Sequence, residues 1–320
     1  MDKQNEVINI LCALDENFVQ HCGVMLTSLF ENNKSEKINV YLFTDGLTEN
    51  SLARLMQLVE SYHSRLTVKT VDMQKLKDFP LQDSKGLRYS LAAYYRIMMV
   101  ELLPADVKKI IYLDCDLIVR SRIRELWETD VEDYAIAAID DAKFTAVDAC
   151  MRLDIGLDEY YYNSGVLVAN LDYWRKHNVS EKLLDFINNH RDKIKIVDQD
   201  ALNAVLSGKR RKLSIKWNML ECFYSIHDSM TEEQKLDMKR WSTSPGIIHW
   251  AEGLKPWMYG SYNPFKGEYY KYLRRTVWKD YKPSLKNTLQ RFGYKRTVFL
   301  FLHLDGLYKK LARIKTKLRT

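Results

Sequence analysis

Lys109-Ile110-Ile111-Tyr112-Leu113-Asp114-Cys115-Asp116-Leu117-Ile118-Val119 is an apolar run interrupted by two acidic residues one position apart. Side chains one residue apart on a strand point to opposite faces. Asp114 and Asp116 can therefore approach one cation only where a strand ends and the backbone turns. Hard carboxylate oxygens suit Mg²⁺ or Mn²⁺, ions that also hold substrate phosphates. A strand delivering such an ion to a pyrophosphate is what a sugar-nucleotide enzyme needs. Alone the triplet is weak, since Asp198-Gln199-Asp200 has the same form, so its meaning depends on its surroundings.

Upstream, Val7–Ala13 reads as a strand ending at Asp15-Glu16-Asn17, followed by a helical stretch through Leu29. Ile38–Phe43 reads as a strand closed by the turn signal Thr44-Asp45-Gly46. Leu52–Tyr62 is helical and Leu66–Val71 is the next strand. Leu87, Leu91, Tyr95, Met98 and Leu102 recur at helical spacing, which predicts a helix over 90–103. Lys109–Leu113 and Tyr134–Ile139 follow as strands. Strands alternating with helices predict a mostly parallel, right-handed α/β sheet. Such sheets bind ligands at the carboxyl ends of their strands, and Asp15, Asp114 and Asp140 all fall at strand ends.

The chain has 320 residues and 46% hydrophobic residues, consistent with a large packed core. No stretch reaches the ~18 apolar residues of a membrane span, and the N-terminus lacks the basic start of a signal peptide. Five cysteines without a Cys-x-x-Cys pair indicate reduced thiols and a cytoplasmic setting. The net charge of +7 hides an asymmetry: residues from 271 onward carry 15 Lys+Arg against 2 Asp, whereas the first 270 are net acidic. Such a tail has a separate task, commonly at an anionic surface. The expected division is a catalytic domain over 1–275 and a basic, aromatic tail over 276–320.

Four further segments join the acidic triplet. Ala13-Leu14-Asp15-Glu16-Asn17 offers a carboxylate and an amide to a base or ribose, or else Asp15 merely caps a helix. The G-x-G-x-x-G fingerprint of dinucleotide sites is absent. Arg96, on an otherwise apolar helix, either snorkels to solvent or donates to a sugar hydroxyl or phosphate. Asn163-Ser164-Gly165 turns into an apolar strand, and Asp198-Gln199 opens an amphipathic helix, with Asp198 either an N-cap or over the reacting sugar carbon. Finally, His249 ends an apolar strand ahead of Gly253 and Lys255, a loop suited to closing over a phosphate. An imidazole beside two carboxylates would make a Mn²⁺ site. The basic run 207–212 reads as a solvated turn.

With these five segments in this order, residues 7–260 resemble the family 8 retaining glycosyltransferases, in particular the bacterial lipopolysaccharide galactosyl- and glucosyltransferases. The resemblance implies a GT-A fold, a Rossmann-like nucleotide-sugar-binding architecture with a mixed, mostly parallel sheet flanked by helices. It implies a UDP-sugar donor and Mn²⁺, with Mg²⁺ as the alternative ion. It makes Asp114, Asp116 and His249 the metal ligands, and Asp15 and Asn17, with Ala13 beside them, the uridine contacts. Lys255, in the loop with Gly253, becomes the diphosphate lysine. Arg96, Asp140, Asn163 and Asp198 become sugar contacts, and Gln199 lies on the β-face of the anomeric carbon. Asp140-Asp141 offers two carboxylates for one sugar contact, of which Asp140 is the expected one. The glycine falls four residues after His249 rather than the family's three.

The expected reaction moves glucose or galactose from UDP to a saccharide or lipid-linked saccharide acceptor in cell-surface glycan synthesis, with anomeric configuration retained. A nucleotidyltransferase making the UDP-sugar would want a glycine- and basic-rich loop for a triphosphate, which residues 7–30 lack. A non-enzymatic membrane-surface scaffold would make the clustered motifs coincidental. In the tail, Leu300, Leu304, Leu307, Leu311, Ile314 and Leu318 form one helical stripe flanked by Lys309, Lys310, Arg313, Lys317 and Arg319. This pattern suits an anionic membrane interface, or else docking on the protein's own core or on a second copy. The expected location is cytoplasmic and peripheral, on the inner face of the membrane, with no nucleic-acid partner.

Overall fold

In the computed structural model, residues 6–81, 89–141, 143–224, 230–261 and 263–284 are described. The apolar runs become strands β1 (Ile8–Ala13), β2 (Ile38–Thr44) and β3 (Arg65–Thr70), parallel to one another and joined through helices α1 (Val19–Glu31) and α2 (Glu49–Ser61). After α3 (Met99–Leu102), β4 (Lys109–Leu113) lies parallel to β1 on its other side. Then come β5 (Leu117–Val119), α4 (Ile123–Trp127), β6 (Ile136–Ala138), α5 (Lys143–Leu153) and β7 (Val166–Asn170). Helices α6 (Leu171–Lys176), α7 (Val179–Asn189) and α8 (Val197–Val205) precede β8 (Arg210–Lys212), α9 (Glu232–Trp241), β9 (Ile247–His249) and α10 (Lys266–Leu273).

The main sheet has the order β3-β2-β1-β4-β7-β6-β8. Only β7 runs against its neighbours β4 and β6. Alternate residues of each central strand feed two cores. Ile8, Ile10, Cys12, Val40, Leu42, Ile111 and Leu113 pack on one face. Leu11, Ala13, Tyr41, Phe43, Ile110 and Tyr112 pack on the other. This two-residue period explains why the central strands read as unbroken apolar runs: both faces are covered. Each large side chain so buried contributes roughly 1.5–3 kcal/mol.

Three expectations change. Residues 91–98 form a 3-10 helix before α3, not one α-helix; Leu87 of the apolar stripe lies outside the described residues. Tyr94 through Met98 are all buried, so packing on every side, not an amphipathic face, sets the tighter turn. The basic run is not a solvated turn. Arg210–Lys212 is the edge strand β8, paired with β6, and Arg210 and Lys212 meet the buried Asp140 at 2.7 and 2.9 Å. The packed body also continues past residue 275. Trp278 and Tyr281 pack against the cluster around Trp250, Trp257 and Tyr269, and the Tyr281 hydroxyl donates to the Trp257 carbonyl at 3.2 Å. The tail stripe from Leu300 to Leu318 and its basic flanks lie outside the described residues.

Candidate active site

Strand β4 stops at Leu113, and Asp114-Cys115-Asp116 connects it to β5. The backbone turn lets both carboxylates face one space, while Cys115 points back into the core. The short antiparallel pair β5–β9 has the register Leu117↔His249, which sets His249 beside Asp116. His249 Nε2 lies 3.2 Å from Asp116 Oδ1 and 3.7 Å from Asp114 Oδ2. Among the described residues this trio is the group of acidic, cysteine or histidine side chains whose ligand atoms all fall within 4.8 Å of one another.

The space in front of it is kept open by Gly165, whose backbone carbonyl accepts from Asp114 N at 2.9 Å. A Cβ on Gly165 would sit 2.7 Å from Asp114 Oδ2 and 2.8 Å from His249 Nδ1. Two carboxylate oxygens and an imidazole nitrogen are donors suited to Mn²⁺, so the chemistry and the cleared space fit a divalent ion. Lys255 Nζ meets Asp116 Oδ2 at 2.8 Å and also donates to the Trp250 carbonyl. Burial pushes the Asp116 carboxyl up, but Lys255 and then His249 outweigh it and hold it well below the usual carboxylate range. Burial alone would lower the His249 imidazole, whereas Asp116 and Asp114 hold it above its ordinary value.

Behind Asp114 lies Arg96, which does not snorkel to solvent. It is buried, with its guanidinium 3.9 Å above the Tyr112 ring. It pairs with Asp114 at 2.8 Å and Asp198 at 3.1 Å and donates to the Ser164 and Ala93 carbonyls. Burial lifts the Asp198 carboxyl to about 6, with Arg96 opposing the rise. Nor is Asp198 the helix cap: that position is Ile196, and Val197 enters α8 at φ 29°, a strained angle for a β-branched residue. The entry turns Asp198 and Gln199 into the cavity. Asp200 turns away, accepting from Lys195 N and Ile196 N and pairing with Arg152. The second acidic triplet is thus half anchor and half site.

Gln199 is tied on both ends of its amide. Its Oε1 accepts from Asn163 Nδ2 at 3.1 Å and Ser164 N at 3.0 Å, and its Nε2 donates to Asp141 Oδ2 at 3.2 Å. Asp141 lines the cavity, whereas the expected Asp140 is drawn out of it by Arg210 and Lys212. Successive residues beside a strand end point opposite ways, and the cations on β8 take the first. At the far end, Asp15 both caps the turn at Asn17, 2.9 Å away, and accepts from Ser90 Oγ at 2.6 Å. The two readings of Asp15 are compatible.

One cavity of about 980 Å³ gathers these groups. Ala13, Asp15, Asn17, Arg96, Asp114, Asp116, Asn163, Asp198, Gln199, His249, Gly253 and Lys255 line it, so it collects every expected site residue except Asp140. Sequence reasoning weighed Asp141 but favoured Asp140, and it missed Asn218, Ser90 and the aromatic wall in which His21 stacks on Trp257 at 3.6 Å. Asn218 had a signal: a lone amide among Ile215, Trp217, Met219 and Leu220. His21 had none, since its partner lies over two hundred residues away.

The strand order, the cavity at the strand ends and the acidic turn are those of a GT-A glycosyltransferase. Residues 9–260 match the family model "Glycosyl transferase family 8", and the chain belongs to that family. It is 30% identical over 283 residues to general stress protein A of Bacillus subtilis (strain 168), covering 86% of this chain and 96% of that protein. It is 25% identical over 261 residues to the lipopolysaccharide 1,3-galactosyltransferase of Salmonella typhimurium, covering 79% of this chain and 74% of that protein. The crystal structure of galactosyltransferase LgtC with donor and acceptor sugar analogs superposes with a TM-score of 0.77 at 22% identity, covering 84% of this chain and 96% of that one. The protein is therefore a glycosyltransferase with the GT-A fold. No helix among the described residues is long and apolar enough to cross a membrane.

Proposed function

We propose that the protein transfers a hexose, glucose or galactose, from UDP to a saccharide or lipid-linked saccharide acceptor in cell-surface glycan synthesis, with retention of configuration. The observation that carries this reading is the meeting of Asp114, Asp116, His249 and Lys255 in one cavity with Gln199 and Asp198. Asp114, Asp116 and His249 would hold Mn²⁺, or Mg²⁺ in its place. A bound divalent ion supplies positive charge where negative charge gathers on the departing diphosphate. Asp15, Asn17 and Ala13 serve the uridine end. Lys255 adds a second positive charge and, in its buried loop, helps exclude water. Arg96 holds Asp114 and Asp198 in place from behind. It can reach the sugar only through the guanidinium hydrogens left over from those pairs.

Gln199 carries the sugar-facing amide. Its oxygen already accepts hydrogen bonds from the Asn163 amide and from the Ser164 backbone and hydroxyl, and a neutral amide is a poor nucleophile. The role that fits is stabilising charge at the anomeric carbon, not forming a covalent adduct. The acceptor hydroxyl then attacks from the leaving-group side and passes its proton to the departing phosphate oxygen. Asp198, ionised at neutral pH and fixed by Arg96, orients a sugar hydroxyl, and Asn163 and Asp141 flank it. Asp141 replaces Asp140 in this role.

The basic tail is proposed to hold the enzyme peripherally on the inner face of the membrane, near a lipid-linked acceptor. This rests on the charge asymmetry and the apolar stripe alone. Turnover of UDP-glucose, UDP-galactose and UDP-N-acetylhexosamines with and without Mn²⁺ tests the donor reading. UDP release from one UDP-hexose above the others, only with the ion, is expected. Synthesis of UDP-sugar from UTP and a sugar phosphate would contradict it.

A further inference from the structure

We propose that Asn218 is a positioning residue that couples the imidazole of His249 to the amide of Gln199. This rests on the reading of Asp114, Asp116 and His249 as the metal site. Asn218 is fully buried and follows a 3-10 turn, Ile215–Trp217, that lies under β9. Its two amide atoms face in two directions: Oδ1 is 2.8 Å from His249 Nδ1, and Nδ2 is 2.8 Å from Asn163 Oδ1.

Hydrogens and amide orientations are fixed here by the backbone. Gly165 N donates to Asn163 Oδ1 at 3.0 Å, so that end of Asn163 is the oxygen. Ser164 N donates to Gln199 Oε1 at 3.0 Å, so that end of Gln199 is the oxygen too. Asn163 Nδ2 then bridges to Gln199 Oε1 at 3.1 Å. Because Asn163 presents an oxygen, Asn218 must present its NH₂ to it and its own oxygen to His249. An amide oxygen only accepts. His249 must therefore carry a proton on Nδ1, which leaves Nε2 as the atom facing Asp114 and Asp116. That is the tautomer a metal-ligating imidazole needs. At the other end the chain fixes which way Gln199 points its NH₂, toward Asp141 Oδ2. His249, Asn218, Asn163, Gln199 and Asp141 thus form one directional row from five separate segments, its direction set by the backbone N–H groups of Ser164 and Gly165.

Two substitutions separate the two arms. Asn218→Ala removes both hydrogen bonds. Mn²⁺ affinity, measured by calorimetry in the presence of UDP, should fall 10–100-fold, the usual cost of losing the partner of a ligating histidine, and kcat should fall with it. Asn218→Asp keeps an acceptor for His249 Nδ1 but offers no N–H to Asn163. Its Mn²⁺ affinity should stay within about threefold of the parent, while kcat drops on the order of 10²-fold because the amide beside the reacting carbon loses its fixed position. A residue that only filled space would not separate ion affinity from rate. Restoration of both properties by Asn218→Asp, or parental Mn²⁺ affinity in Asn218→Ala, overturns the proposal.

The wild-type chain tests the same point without relying on either variant folding. In its complex with Mg²⁺ and UDP, ¹⁵N spectra of the histidines should give His249 protonated at Nδ1. Protonation at Nε2 overturns the proposal. If the wild-type chain binds neither Mn²⁺ nor Mg²⁺ with UDP, the metal reading fails, and the coupling fails with it.

Discussion

Gly165→Ala adds one methyl group at the most crowded point of the site. The new Cβ would lie 2.7 Å from Asp114 Oδ2 and 2.8 Å from His249 Nδ1, with His249 Cε1 nearer still. Ordinary contact begins near 3.5 Å, so the imidazole or the strand must give way by about 1 Å. The ring cannot swing freely, because Asn218 holds Nδ1 and the residue is buried. Nor can the backbone move easily, since Gly165 pairs with Asp114 and Asn163. Overpacking of this kind costs roughly 1–3 kcal/mol of stability. Ligand distances tolerate only about 0.2 Å, and a displacement of about 1 Å near reacting groups costs on the order of 10²-fold in rate. The expected variant is folded, melts a few degrees lower, binds Mn²⁺ poorly in the presence of UDP and turns over donor at about a hundredth of the parental rate. Calorimetry with Mn²⁺ and UDP and a UDP-release assay measure these. Parental Mn²⁺ affinity and turnover would refute the placement of the ion beside Gly165.

Asp141→Asn should lower kcat well below that of Asp140→Asn. Asp140→Asn should instead lower the melting temperature, because it strips Arg210 and Lys212 of a buried partner; steady-state kinetics and melting curves check this, and the reverse pattern would restore Asp140 to the sugar. The Asp198 carboxyl, raised to about 6 by burial, binds its proton more tightly when folded. Its contribution to stability is therefore greatest below about pH 4 and is lost as pH rises through about 6, worth about 3 kcal/mol. Urea unfolding of wild type against Asp198→Asn from pH 4 to 7 should show the variant gaining on wild type over that window, and a flat difference would be contrary. The His249 imidazole is held above its ordinary 6.5 by Asp116 and Asp114 once their effect outweighs burial. If Mn²⁺ is held there as proposed, it must displace that proton, so its affinity should fall as pH drops, and calorimetry in buffers of different ionisation enthalpy should register proton release.

The order of the motifs in the sequence revealed more of the site than their local chemistry did. Asp114 and Asp116 were legible because an apolar strand frames them, and His249 because it ends another. What joins them, the Leu117↔His249 register, is a long-range pairing no local pattern encodes. Asp198 and Gln199 do face the cavity, yet the cap reading failed because a strained Val197, not a capping side chain, starts α8. Asp140 and Asp141 are equivalent in sequence. What separates them is a pair of cations on β8, a strand that reads as a solvated basic turn. The buried 3-10 segment around Arg96 has the apolar spacing of an α-helix, and packing on all sides overrides it. Residues 276–284 look like the start of a basic tail, but Trp278 and Tyr281 belong to the body, where aromatic contact outweighs the charge pattern.

The most direct test is UDP release from UDP-glucose and UDP-galactose by wild type and Asp116→Ala, each with Mn²⁺ and with the ion chelated. Asp116 is a cavity-wall carboxylate paired with Lys255 and His249. Its removal leaves the buried Lys255 and His249 without their carboxylate, so the melting temperature should fall while the chain stays folded, which circular dichroism checks in the same samples. Turnover of one UDP-hexose by wild type with Mn²⁺, lost on chelation and in Asp116→Ala, is the predicted result. Near-parental turnover by Asp116→Ala, or wild-type turnover indifferent to chelation, would contradict a metal-dependent UDP-hexosyltransferase built on Asp114, Asp116 and His249.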